Sequence, residues 1–360
     1  MHKYKKMRVA AFIMSILLVG TAFSVSACKT KGTSSDGEVS DNTGVSGNSD
    51  DKLDNKNQNE NSDKNSDENS DRNLDGNEGA SGTDGSGNII DGNASQGNTQ
   101  NNTNKQGNVY ENMQNIALDS SWEYADYSMI NSGSAVMYKA ASDRKNITVA
   151  VNAGHGTSGG SSVRTLCHPD GSPKTTGGST AQGATTATAV SGGMTFYDGT
   201  PESSVTLRMA QILRDTLLTQ GYDVLMLRDD TDVQLDNVAR SVIANNTADC
   251  HIALHWDGDG LSYDKGVFYI AVPDGIKNMQ PVAAYWQEHD RLGESLVSGL
   301  SNQGVKVCGS GKMSIDLTQT SYSTIPSVDI ELGNASSDHS EETLNRLAAG
   351  LLEGINSYYN

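Results

Sequence analysis

The chain has 360 residues, 35% of them hydrophobic and 19% charged, and a formal net charge of −18 at pH 7. An acidic balance of this size excludes nucleic-acid binding through a basic face and argues against adhesion to anionic lipids or wall polymers by charge alone. Length by itself allows two domains, yet the residues are distributed so unevenly that much of the chain is not domain at all.

The N-terminus reads MHKYKKMRVAAFIMSILLVGTAFSVSAC: Lys3, Lys5, Lys6 and Arg8, then an apolar run, then small residues before Cys28. This is an export signal over residues 1–27, too short for a comfortable membrane span. Val25, Ser26, Ala27 and Cys28 resemble the bacterial lipobox. That resemblance implies a lipidated Cys28 as first mature residue, a membrane partner through the lipid anchor, and a location on the outer face of the cytoplasmic membrane. Residues 28–108 are Asn, Asp, Ser and Gly with almost no large apolar side chain. They cannot bury enough surface to offset the entropy of ordering, which predicts a disordered tether with a span on the order of 50 Å. Residues 109–146, with Trp122 and Tyr124, form a lead-in that either packs on the following domain or covers its site.

From 147 to 360 strand and helix patterns alternate. ITVAVNA (147–153) reads as a strand and PESSVTLRMAQILRDTLLTQGY (201–222) as a helix, with Pro201 in its first turn and Gly221 closing it. Strands are expected at 222–227, 248–255, 266–272 and 326–332, and helices at 238–246, 281–303 and 340–358. The fold class is therefore α/β: a single domain with a largely parallel twisted sheet flanked by helices on both faces, expected to act as a monomer. Ligands of such sheets lie outside the carboxyl ends of the strands.

Three residues collect on that edge. His155 follows the first strand in a glycine-rich turn (NAGHGTSGG), His255 ends ADCHIALH, and Glu331 lies near the end of PSVDIEL. The stripe Val205, Met209, Ile212 and Leu213 of the long helix, stepped back by three, lands on Glu202. Two imidazoles and a carboxylate with an open fourth position make up a catalytic zinc site, while a lone Glu202 would be a helix-end charge. His251 is expected to be structural, and His168, His289 and His339 solvated or capping. Trp256 is either a core wall or a sugar platform. Arg240 is expected to be an internal ion-pair partner rather than a substrate clamp. Of Cys167, Cys250 and Cys308, Cys250 is expected to be a buried free thiol, a bridge between the other two stays open, and the absence of a CxxC pair speaks against a thiolate zinc site.

The segments VAVNAGHG, ESSVTLRMAQILRDTLLTQGYDVLMLRDDTD, RSVIANNTADCHIALHWD and PSVDIELGNASSDHSEETL, in this order, resemble the zinc-dependent N-acetylmuramoyl-L-alanine amidases of the amidase 3 type. These enzymes cut the amide between muramic acid and the first L-alanine of the peptide stem. The resemblance implies peptidoglycan as substrate, one Zn²⁺ per catalytic domain held by His155, Glu202 and His255, and Glu331 as the catalytic carboxylate. Asn152 and Ala153 stand where the family has Asp and Pro, and Asp257 where it has Asn. The paired exchange suggests that Asp257 takes over a role in orienting the site, with Asn152 and Arg240 as further candidates for residues behind the ligands. Residues 158–200, rich in Gly, Thr and Ser, form an insertion longer than the family usually carries, either a specificity flap or a surface excursion. A zinc peptidase or deacetylase on a similar scaffold, and an inactive peptidoglycan-binding regulator, are the alternatives.

Overall fold

A computed structural model of the chain describes residues 110–360. The export signal, Cys28 and the tether lie outside the described residues. The elements in chain order are β1 (Tyr110–Ala117), β2 (Ser134–Ala140), β3 (Thr148–Ala153), β4 (Arg164–Leu166), β5 (Thr186–Thr188), α1 (Glu202–Thr219), β6 (Asp223–Met226), α2 (Asn237–Thr247), β7 (Cys250–Asp257), β8 (Val267–Ala271), α3 (Val282–Asn302), β9 (Val307–Ser314), α4 (Thr318–Tyr322), β10 (Ser327–Asn334) and α5 (Glu341–Tyr359).

Eight strands form one sheet in the order β1-β2-β6-β3-β7-β10-β8-β9, and β4 pairs with β5 apart from it. The centre, β6-β3-β7-β10, is parallel. It carries the β-branched runs that a strand buried on both faces requires. The strands next to this centre run against it: β2 is antiparallel to β6, and β8 antiparallel to β10. β1 was not legible because it owes little to burial. Its sequence YENMQNIA is mostly exposed, and it exists as the antiparallel partner of β2. β9 is likewise largely exposed and carries glycines; it is a strand by virtue of its pairing with β8. Residues 110–140 thus extend the sheet at one edge. Asp223 fastens that edge, accepting from the Ala140 amide, Lys139 and Arg144.

Period-2 alternation divides the central strands between two cores. Val149, Val151, Ile252, Leu254, Val328 and Ile330 face α1, α3 and α5, whose Leu213, Leu296 and Leu351 join the same cluster. Ala150, Leu225 and Leu227 pack on the other face against Ala239 and Ile243 of α2. Helices therefore cover both faces, as the alternation of patterns predicts. None of the described helices is long and apolar enough to cross a membrane.

The histidines outside the strand ends differ from expectation. His168 is wholly buried, its Nε2 2.8 Å from Asp316 Oδ1. His289 is also buried, its Nδ1 accepting from the Ser327 amide at 2.9 Å. His339 pairs with Asp198 at 3.2 Å and lies against the Phe196 ring. Each has a specific polar partner, which composition and helix position do not disclose. His251 is buried, as expected of a structural histidine, and Trp256 is a core wall, 2% exposed and edge-on to Phe196. Cys167, Cys250 and Cys308 are all free, with Cys250 buried.

Burial lowers the imidazole of His251 to about 3 and that of His289 to about 4, and neither Nε2 has a hydrogen-bond partner. Both rings are neutral in the folded and unfolded states above pH 6.5. Below it the unfolded chain takes up protons that the native rings refuse, so this contribution to stability falls as pH drops from about 6.5 toward 4. Urea unfolding of the native protein and of the His251→Gln/His289→Gln variant at pH 7.5 and 5 tests the assignment. The variant is expected to lose less stability between the two pH values; equal slopes would refute it.

Candidate metal centre

The site occupies the sheet face opposite α1, α3 and α5. On β3, Asn152 and Gly154 share the parity of Ala150; on β7, Ala253 and His255 alternate with the core residues Leu254 and Trp256; on β10, Asp329 and Glu331 alternate with Val328 and Ile330. Register aligns these residues in rows. Asn152 pairs with Ala253, Ala253 with Asp329, and His255 with Glu331.

His155 lies one residue beyond Gly154 in the left-handed region, φ 66°, which few non-glycine residues adopt without support. The support comes from two buried arginines. Arg228 donates from Nε to the Ala153 carbonyl (3.1 Å) and from Nη2 to that of Gly154 (3.0 Å). Arg240 donates to the carbonyls of Ala153 (3.2 Å) and His155 (2.8 Å) and to Asn152 Oδ1 (3.0 Å). Both guanidiniums have no solvent exposure, and neither pairs with a carboxylate among the described residues. Burial lowers Arg228 to about 10 and Arg240 to about 9, which leaves both charged at neutral pH. Arg240 is therefore not the ion-pair partner expected from its helix position but a clamp on Asn152, Ala153 and His155. Arg228 was not singled out from sequence, because an arginine after an apolar strand carries no distinguishing pattern.

Glu202 opens α1 and is 2% exposed. Its amide donates to the Met194 carbonyl (3.0 Å), and its Oε2 accepts from the Met194 amide (2.8 Å). Oε1 accepts from the Trp256 amide (3.1 Å) and lies 2.9 Å from His155 Nε2 and 3.1 Å from His255 Nδ1. His155 Nδ1 faces the Ser191 carbonyl at 2.9 Å, which assigns the ring proton to that nitrogen and turns the Nε2 lone pair inward. One ligand atom from each of His155, Glu202 and His255 lies within 4.8 Å of the others, a group that could hold a metal ion.

Charge favours a cation here. Burial alone would raise the Glu202 carboxyl, but hydrogen bonds and charge from His155 and His255 hold it well below the usual range. Burial would lower His255, yet the carboxylates of Asp329, Glu202 and Glu331 outweigh it and lift the ring to about 10. Burial, with Asp329 beside it, pushes Glu331 well above a normal carboxylic acid, and its Oε2 has no partner. Three carboxylates around two imidazoles, two of them with unsatisfied buried oxygens, fit a divalent ion coordinated by nitrogen and oxygen.

A cavity of about 650 Å³ opens over these groups, lined also by Thr180, Val190, Ser191, Asp316 and Gln319. Residues 158–200 therefore wall the site. The Asp316 carboxylate fastens them: it accepts from the Thr175 amide (2.8 Å) and hydroxyl (3.0 Å), with His168 Nε2 at 2.8 Å and Lys174 Nζ at 3.4 Å. Burial opposes the charged form, but these bonds hold Asp316 at about 2. Asp257 also lines the cavity, its carboxylate paired with Lys265, which bridges to Asp259 at 2.9 Å.

Residues 149–355 match the family model described as Amidase_3, N-acetylmuramoyl-L-alanine amidase. The chain belongs to this family. Its fold is similar to the N-acetylmuramyl-L-alanine amidase of Mycobacterium smegmatis, at 18% identity over 60% of this chain and 98% of that one, TM-score 0.50. Two more amidase structures are alike: that of Mycobacterium abscessus (21% identity, 60% and 99% covered, TM-score 0.48) and that of Clostridium difficile 630 (17%, 61% and 98%, TM-score 0.42). Comparison with curated proteins gives no match.

A Cβ on Gly154 would stand 2.2 Å from His255 Cε1 and 2.5 Å from its Nε2, whereas one on Gly192 would meet nothing within 4 Å. Gly154→Ala is expected to keep the fold but move the His255 ring, lowering affinity for a divalent metal ion by at least about tenfold, in the range seen when the support of a ligand is lost. Gly192→Ala should bind as the native protein does. Isothermal titration of both variants with a divalent metal checks this, and native-like binding by Gly154→Ala would contradict it.

Proposed function

We propose that this chain is a zinc-dependent N-acetylmuramoyl-L-alanine amidase that hydrolyses the bond between the lactyl group of muramic acid and L-alanine in peptidoglycan. The observation that carries the reading is the convergence of His155, Glu202 and His255 beside Glu331 at the ends of three adjacent parallel strands. Zn²⁺ held by the three side chains would supply Lewis-acid polarisation of the amide carbonyl and of the attacking water.

The remaining work belongs to the protein. Glu331 takes a proton from the water and returns it to the amide nitrogen, without which that nitrogen is a poor leaving group. The unpartnered Oε2 leaves this carboxyl free to accept. The Met194 and Trp256 amides fix Glu202 from behind, and the Ser191 carbonyl fixes the His155 tautomer, so the ligand set is ordered before substrate arrives. The wall formed by residues 158–200 confines the stem peptide next to Glu331.

In the same reading, lipidation of Cys28 anchors a monomeric enzyme on the outer face of the membrane. The acidic, Asn- and Gly-rich tether then lets the catalytic domain reach the wall.

Zinc-loaded protein and its Glu331→Gln variant, incubated with isolated peptidoglycan, separate the readings through the newly freed amino termini. The native enzyme should release N-terminal L-alanine. The variant should retain zinc and lose about 10²- to 10⁴-fold in rate. New termini other than L-alanine would make the enzyme a peptidase, and none at all with zinc bound would make it a regulator.

A further inference from the structure

We propose that Asp329 is a positioning residue, the carboxylate that orients His255 as a metal ligand; the proposal rests on the metal-centre reading above.

The two histidines of the site each have an inner and an outer ring nitrogen, and only one outer nitrogen is settled. His155 turns Nε2 toward Glu202 and places Nδ1 against the Ser191 carbonyl. His255 turns Nδ1 inward, 3.1 Å from both Glu202 Oε1 and His155 Nε2, with its ring edge-on to that of His155. Its outer nitrogen, Nε2, has no hydrogen-bond partner among the described residues. The carboxylate it faces is Asp329, with Oδ2 at 3.7 Å.

Asp329 is placed there by register. β10 pairs Glu331 with His255 and Asp329 with Ala253, so Asp329 lies one step behind the histidine on the same sheet face. Ala253, between Asp329 and Asn152, has no side chain beyond Cβ to intervene. Asp329 Oδ1 is buried with no partner, a state that costs a carboxyl group dearly unless the charge serves a neighbour. Asp329 does not belong to the convergent ligand group itself. Two other candidates for the role have their polar groups engaged elsewhere: Asn152 accepts from Arg240, and Asp257 pairs with Lys265.

A carboxylate on the outer nitrogen of a ligating imidazole holds the proton there, keeps the inner lone pair on the metal, and increases ligand basicity. The contact of 3.7 Å is longer than a hydrogen bond but within ion-pair distance. The site then has matched supports, a backbone carbonyl behind His155 and a side-chain carboxylate behind His255.

The test measures zinc affinity of the full chain by competition with a chromophoric chelator, for the native protein, Asp329→Ala, Asp329→Asn and His255→Ala. Asp329→Ala is expected to weaken zinc binding about 10- to 100-fold. Asp329→Asn, near-isosteric and still an acceptor but uncharged, should lose less in the same direction, and it carries the comparison if the alanine variant does not fold. The zinc-loaded native protein should also show a slowly exchanging His255 Nε2 proton in nitrogen-edited NMR spectra. A merely structural role for Asp329 would leave that resonance in place in the variants. Native affinity and an unchanged resonance in the folded Asp329 variants, with His255→Ala losing zinc, would overturn this proposal alone. Failure of the native protein to bind zinc, or native-like binding by His255→Ala, would overturn it together with the metal-centre reading.

Discussion

The site depends on two desolvated guanidiniums. Arg228 and Arg240, from opposite sides of β3, hold the carbonyls of Ala153, Gly154 and His155, the three residues at which the strand leaves the sheet and turns. Hydrogen bonds from charged donors are stronger than neutral ones, and inside the protein they replace the solvation that both arginines have lost. A left-handed histidine would not persist on propensity alone, so the clamp holds His155 where its ring meets Glu202 and His255. Arg228 also reaches Ser203 and Thr206, tying the same strand end to the first turn of α1 that carries Glu202. Two of the three convergent side chains are thereby set by one pair of cations.

Charge balance follows from this arrangement. The two cations spend their donors on backbone carbonyls and on Asn152, Thr157 and Thr206, not on Glu202, Asp329 or Glu331, and the carboxylates that act on their charge are those of Asp230, Asp232 and Asp236. The site carboxylates remain free to act on a cation and a substrate. The segment 158–200 is held by a comparable device, a buried aspartate, Asp316, satisfied by Thr175, His168 and Lys174. A wall so fastened is part of the site, and a polar Gly- and Thr-rich segment becomes ordered because one carboxylate gathers its scattered donors.

Much of this was legible in the chain because it follows from periodicity. Strand ends in a parallel sheet share an edge, so the sequence alone groups His155, His255 and Glu331, and the apolar stripe of α1 leads back to Glu202. The central strands, the long helices and the burial of His251 rest on the same alternations. The edge strands β1, β2 and β9 were not legible, since polar, exposed segments become strands through pairing partners far away in sequence. The burial of His168 and His289 is hidden from the sequence for a related reason: the groups that satisfy them, Asp316 and the Ser327 amide, lie on other elements. Asp329 had a visible signal, because it stands two residues before Glu331 and must share its face. Arg228 had none; its importance comes wholly from the carbonyls it meets.

The most direct test of the account is the position of the metal. Crystals of the zinc-loaded protein, measured on both sides of the zinc absorption edge, should give one strong anomalous peak about 2.0–2.2 Å from His155 Nε2, Glu202 Oε1 and His255 Nδ1. A peak elsewhere on the chain, or coordination through the other nitrogen of either histidine, would contradict the claim that the clamped strand end, with the tautomers set by the Ser191 carbonyl and Asp329, defines the catalytic centre.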